Sequence, residues 1–223
     1  MKNLAIFDLD NTLINTDSDH SWPQYLMKKG LVDVAYTEAQ NEKFYQDYRN
    51  GCLNIDEFLK FHLAPLTRYS MEELADMHRE FMAEFITPHI TPMQRMLVQS
   101  HQAAGDELLV ISSTNEFIIT PICREFGIEN VIGTQLEIGA DGRYTGNYIG
   151  TPSLKEGKIT RLNQWLAARG ESFDDYDKVY FYSDSKNDLP LLHYVNEPVA
   201  VNPDEELAAE AAVKGWPVLN FKF

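Results

Sequence analysis

The first hydrophobic run of the chain, Leu4-Ala5-Ile6-Phe7, leads directly into Asp8-Leu9-Asp10-Asn11-Thr12-Leu13. A short apolar run of this kind predicts a buried strand that ends at the surface. If the backbone stays extended past Phe7, Asp8 and Asp10 project to one side, because side chains of a strand alternate with period two. Two like charges on one side repel. Either a hard divalent cation with a preference for oxygen sits between them, or the segment is a polar turn in which Asp and Asn bond the local backbone.

From Asp17 to about Phe85 every strong apolar pattern has helical spacing. Phe44, Tyr45 and Tyr48 form one such set, Phe58, Leu59, Leu63 and Leu66 a second, and Met77, Phe81 and Phe85 a third. Asn54 and Ser70 stand where N-caps belong, and Glu73 completes a capping box with Ser70. The stretch predicts a helical insertion of about four helices directly after the first strand. Its aromatic residues are expected in the core, while Trp22, which follows a polar segment, is the candidate to face a pocket.

After Thr91 helices and strands alternate. A helix carrying Met93, Met96 and Leu97 precedes the strand Glu107-Leu108-Leu109-Val110-Ile111, and Ser112-Ser113-Thr114-Asn115 opens the next helix, which stops at Gly127. A short strand is predicted near residues 130–134, followed by a hairpin around Ala140-Asp141-Gly142-Arg143. A helix from about Lys155, the strand Lys178–Tyr182, the strand Val199–Val201, a last helix from Glu205 and an edge strand at Pro217–Leu219 complete the order. Apolar strands separated by helices imply an α/β fold, a three-layer Rossmann-like parallel sheet with helices on both faces. The core is expected in residues 1–14 and 87–223, with a small helical cap at 15–86.

Composition narrows the function. The chain has 223 residues, enough to bury a sizeable core, and a formal charge of −15 that disfavours nucleic acid and anionic membranes as partners. No apolar run is long enough to span a bilayer, and the N-terminus shows no signal-peptide pattern, so a cytoplasmic location is expected. Cys52 and Cys123 lack metal-ligand spacing and are expected reduced, and the six histidines show no metal spacing either. Monomer and homodimer both stay open.

Three predicted strands end in polar groups of different kinds: Asp8 and Asp10, then Ser112 to Asn115, then Asp184, Asn187 and Asp188. Ligands of such sheets sit beyond the carboxyl ends of the strands. On these motifs the sequence resembles the haloacid dehalogenase superfamily of phosphohydrolases, in the branch of small phosphatases similar to phosphoserine phosphatase. Asp8-Leu9-Asp10-Asn11-Thr12 is similar to its first signature and Ile111-Ser112-Ser113 to its second. Lys158 within Gly157-Lys158-Ile159-Thr160-Arg161-Leu162 is similar to the third, and Ser183-Asp184-Ser185-Lys186-Asn187-Asp188 to the fourth.

The resemblance implies Asp8 as a nucleophile that forms an aspartyl-phosphate and Asp10 as general acid and then base. It implies Mg2+ held by the Asp8 carboxylate, the Asp10 carbonyl and Asp184. Ser112, Ser113 and the amides of the following helix would bind phosphate, Lys158, rather than its neighbour Lys155, would supply positive charge, and Asn187 and Asp188 would orient the loop and the metal's waters. The expected substrate is a small phosphorylated metabolite. Where the phosphoserine branch places a Glu and an Arg in the cap, this chain has Asp17 and His62, and His cannot reproduce an Arg fork on a carboxylate. Asp17 and Asp19 make the mouth acidic, and the run from Asp17 to Trp22 is similar to a subgroup that includes histidinol-phosphate phosphatases. L-Histidinol phosphate is therefore the leading expectation, with phosphoserine or another amine or sugar phosphate as alternatives, and a phosphomutase, a dehalogenase or a non-catalytic phosphate binder as readings of a different class.

Overall fold

A computed structural model describes residues 2–221; Met1 and the last two residues of the expected core lie outside the described range. Among the described residues seven strands form one sheet, in the order β4-β3-β2-β1-β5-β6-β7. They are β1 (Lys2–Phe7), β2 (Glu107–Asn115), β3 (Asn130–Ile138), β4 (Tyr144–Ile149), β5 (Tyr176–Ser183), β6 (Glu197–Val201) and β7 (Val218–Leu219). Every pairing is parallel except β3 with β4, the hairpin around Asp141-Gly142. This is the expected α/β class. Two strands run longer than the sequence suggested. β2 continues through Asn115, and β3 joins the two apolar runs on either side of Gly133 and Thr134 into one strand.

Period-two alternation sorts the central strands into two cores. Ala5, Phe7, Leu108, Val110 and Tyr182 face one side, where α5 (Pro92–Ala104), α6 (Glu116–Arg124) and the inserted helices pack. Leu4, Ile6, Leu109, Ile111 and Phe181 face the other, against α7 (Glu156–Ala168), α8 (Leu189–Tyr194) and α9 (Glu205–Lys214). A sheet buried on both faces explains why its central strands read as unbroken apolar runs.

The insertion after β1 holds α1 (Ser18–Lys28), α2 (Val34–Arg49), α3 (Ile55–Leu63) and α4 (Met71–Phe81). Two of their starts are capped as the sequence suggested. Asn54 accepts from the Glu57 amide, and Ser70 forms the capping box with Glu73. Trp22 does not face a pocket. It is buried among Tyr25, His78, Phe81 and Phe117, in stacked and edge-on contacts that join α1 and α4 to α6. Cys52 and Cys123 are both free thiols. Among the described residues no helix is long and apolar enough to cross a membrane.

β1 lies at the centre of the sheet between β2 and β5, so the carboxyl ends of these three strands open side by side. Gly157 brings a fourth segment to that edge. A Cβ there would stand 2.1 Å from the Pro152 carbonyl oxygen, so only glycine lets the first turn of α7 sit this close to the preceding loop. The next residue is Lys158.

Candidate active site

Asp8 leaves β1 with its amide bonded to the Tyr182 carbonyl of β5 at 2.8 Å. The chain then turns tightly. Thr12, Leu13 and Ile14 amides all converge on the Leu9 carbonyl, and Asn11 adopts a left-handed backbone with φ 55°. Leu9, Leu13 and Ile14 are wholly buried, which fixes the turn and leaves Asp8 and Asp10 both on the wall of one cavity. That cavity lies between the sheet edge and α1 to α3.

The Lys158 ammonium is fully enclosed and donates to Asp8 Oδ1 at 2.8 Å and to Asp188 Oδ2 at 2.7 Å. Asp188 also accepts from the Ser183 hydroxyl at 2.7 Å. Burial alone would lower the pKa of Lys158, but the charges of Asp188 and Asp8 outweigh it and hold the ammonium above the ordinary lysine value. Lys155 is occupied elsewhere. Its Nζ donates to the Gly51 carbonyl at 2.7 Å, beyond the end of α2, so the lysine beside the carboxylates is Lys158.

Asp10 accepts from the Ser18 amide at 2.6 Å and from the Thr114 hydroxyl at 2.9 Å, which ties the turn after β1 to α1 and β2. Asp17 caps α1 through the His20 amide at 2.8 Å and lines the cavity with Asp19 and Asp184. Burial pushes the Asp8 carboxyl up to about 7, with the nearby charges of Asp188 and Asp10 adding to the rise and Lys158 opposing it. Asp10 is pushed up to about 7 by burial and by Asp17, against the bonds from Ser18 and Thr114. Asp17 and Asp19 are raised as well, in both cases chiefly by burial. One ammonium is too little positive charge for this cluster.

The donor set fits a hard divalent ion. Asp8 and Asp184 present carboxylates to the same cavity. Among the described residues no three His, Cys, Asp or Glu side chains form a ready-made metal group. Magnesium does not need one, since it is held by one or two carboxylates, waters and substrate phosphate.

The other expected residues fall into place unevenly. Ser113 lines the cavity, whereas the Ser112 hydroxyl is turned to the Thr114 amide at 3.1 Å and sits beneath the wall. Asn187 is directed at the cap, donating to the Tyr48 carbonyl at 3.0 Å. His62 lines the cavity, only 3 % exposed, in tilted contact with Phe58. Sequence reasoning missed Asn41, Tyr45 and Tyr48, which present one face of α2 to the cavity together with Phe44, and it missed the Thr114 bond to Asp10. The i, i+4, i+7 spacing from Asn41 was visible, but it matches a core stripe equally well.

The haloacid dehalogenase-like hydrolase family matches residues 5–193. The chain belongs to this family. It is 82% identical to a histidinol-phosphatase of Neisseria meningitidis serogroup C over 222 residues, covering 100% of both chains. Among solved structures it is similar to a Bordetella pertussis protein of unknown function, with a TM-score of 0.92, 42% identity and 98% coverage of each chain. A substrate-bound phosphoserine phosphatase shares the fold at 18% identity and a TM-score of 0.69, covering 98% of this chain and 93% of that one.

Replacing Lys158 by methionine leaves Asp8 and Asp188 buried without their cation, which is expected to cost about 3–5 kcal/mol of unfolding free energy at pH 8. Asp8 takes up a proton below about 7, so the loss should shrink as the pH falls to 5. Denaturant melts of K158M at the two pH values check this, and an equal loss at both would contradict it.

Proposed function

We propose that this chain is a magnesium-dependent phosphomonoester hydrolase acting through an aspartyl-phosphate on Asp8, with L-histidinol phosphate as its substrate. Residues 1–14 and 87–223 form the catalytic core in this proposal, and residues 15–86 form the cap that reads the leaving group. One observation carries the substrate choice. The cavity wall bears Asp8, Asp10, Asp17, Asp19 and Asp184, and among the described residues that line it there is no Lys or Arg. A substrate carboxylate has no partner there, so phosphoserine is disfavoured. An ester that brings an ammonium and an imidazole without a carboxylate suits such a wall. The full-length similarity to a histidinol-phosphatase supports the same choice.

In the first step Lys158 holds Asp8 Oδ1, which leaves Oδ2 to attack phosphorus as the bond to the alkoxide oxygen breaks. Asp10 gives its proton to that oxygen, a role suited to a carboxyl raised to about 7. In the second step the Asp10 carboxylate takes a proton from water as the water oxygen attacks phosphorus, which releases phosphate and restores Asp8. The Ser113 and Thr114 segment, where α6 begins, faces the phosphoryl group, with Ser112 fixing its turn. Asn187 and Asp188 hold the loop after β5. HAD phosphatases in general use Mg2+, and held by Asp8, the Asp10 carbonyl and Asp184 the ion would neutralise phosphoryl charge.

Two measurements check this function. For the wild-type protein kcat/KM for L-histidinol phosphate should exceed that for phosphoserine by at least ~100-fold, the cost of burying an unpaired carboxylate; equal values would remove the charge argument. The second concerns the ion. Asp8 and Asp10 are raised to about 7 from an ordinary 3.8, so the folded protein without metal binds extra protons between those values and loses stability as the pH climbs through that window. Half-buried His20 and buried His62 and His78, all lowered, act in the opposite direction. The stabilisation added by Mg2+ isolates the acids: it should be larger at pH 8 than at pH 6, where the ion must displace protons. Thermal melts with EDTA and with Mg2+ read it, and an increment independent of pH would contradict the assigned ligands.

A further inference from the structure

The cap end of the cavity contains buried polar atoms that the phosphoryl chemistry does not use. Both ring nitrogens of His62 are enclosed and make no hydrogen bond, and Asp19 Oδ1 is enclosed and unbonded as well. His62 Nδ1 and Asp19 Oδ1 lie 3.4 Å apart without hydrogen-bond geometry. Burial lowers His62 to about 3, so the ring is neutral at pH 7 and the approach is not an ion pair. A neutral imidazole has one N–H to give and one lone pair to fill. Leaving such groups buried and unpaired costs about 1–3 kcal/mol each. Around them the walls are apolar, formed by Phe44, Phe58, Leu53 and Ile55, with His20 and Tyr45 at the side.

Resting on the phosphatase function above, we infer that His62 and Asp19 form a seat for a nitrogen heteroaromatic ring on the leaving alcohol. The ring N–H donates to Asp19 Oδ1, and its bare nitrogen accepts from the N–H of His62. A ligand with one donor and one acceptor on a flat frame pairs Asp19 Oδ1 and the His62 N–H at once. A plain ammonium supplies donors only and leaves the His62 N–H unpaired, while a carboxylate meets the charge of Asp19. His62 and Asp19 thus act as specificity residues for the ring.

The test compares L-histidinol phosphate with O-phosphoethanolamine, which has the ammonium but no ring, and measures L-histidinol as a competitor of p-nitrophenyl phosphate hydrolysis. In His62→Phe the ratio of kcat/KM for the two esters should fall roughly tenfold, through KM, and the inhibition constant of L-histidinol should rise by a similar factor. His62→Asn, which keeps a donor and an acceptor, should recover part of the ratio, and Asp19→Asn gives an independent variant should His62→Phe not fold. A ratio and an inhibition constant that do not move in either His62→Phe or Asp19→Asn would overturn the seat even if L-histidinol phosphate is the preferred ester. A wild-type protein that prefers another ester, but whose affinity for L-histidinol still depends on His62, would instead remove the proposed substrate and retain the seat.

Discussion

The site depends on a lysine ammonium with almost no access to water, placed between two carboxylates. Lys158 bridges Asp8 and Asp188 at 2.8 and 2.7 Å. A buried ion pair gains little net stability over an apolar replacement, because desolvation offsets attraction. Its value lies in geometry, since the bridge fixes Asp8 at the carboxyl end of the central strand. Several features of the fold serve this bridge. Gly157 admits the first turn of α7, Ser183 gives Asp188 a further bond, and the tight turn after Asp8 is fastened by wholly buried Leu9, Leu13 and Ile14.

The bridge does not neutralise the cluster, and that shortfall shapes the rest of the site. Asp8 and Asp10 keep raised pKa values because burial and the charges of neighbouring aspartates exceed what Lys158 offsets at Asp8 and what the Ser18 and Thr114 bonds offset at Asp10. A divalent ion and a partly protonated acid are two ways of relieving the same excess, and the proposed chemistry uses both. The cap closes the cavity from above with a different set of groups, aromatic walls and acceptors in place of charge compensation. Core and cap are fastened at the end of α2, where Asn187 and Lys155 donate to the Tyr48 and Gly51 carbonyls. These two residues flank the sequence positions of Asp188 and Lys158, so the contacts that seat the cap arise beside the bridge itself.

Much of this was legible in the sequence. The apolar run into Asp8 and Asp10 pointed to both acids on one side, and both line the cavity, although β1 ends at Phe7 and it is the buried turn through Leu9, Leu13 and Ile14 that holds them there. The three polar strand ends converge because β1 has β2 and β5 as its neighbours. What stayed hidden were choices between chemically similar residues in one segment. Ser112 and Ser113 differ only in which way the hydroxyl turns, and the inward bond to Thr114 decides it. Helical spacing marked Asn41, Phe44, Tyr45 and Tyr48 as one face but not whether protein or solvent-filled space lies opposite. Trp22, the candidate to face a pocket, is drawn into the core by the aromatic cluster of α4 and α6.

The most direct measurement is chemical capture of the phosphorylated residue. Turnover of L-histidinol phosphate is quenched, the protein is treated with borohydride, which reduces an acyl phosphate to an alcohol, and the peptides are mapped by mass. Homoserine in place of Asp8 is the expected result. Homoserine at another aspartate, or intact Asp8 at a time when kinetics show a phosphoenzyme has accumulated, would contradict the role given to Asp8.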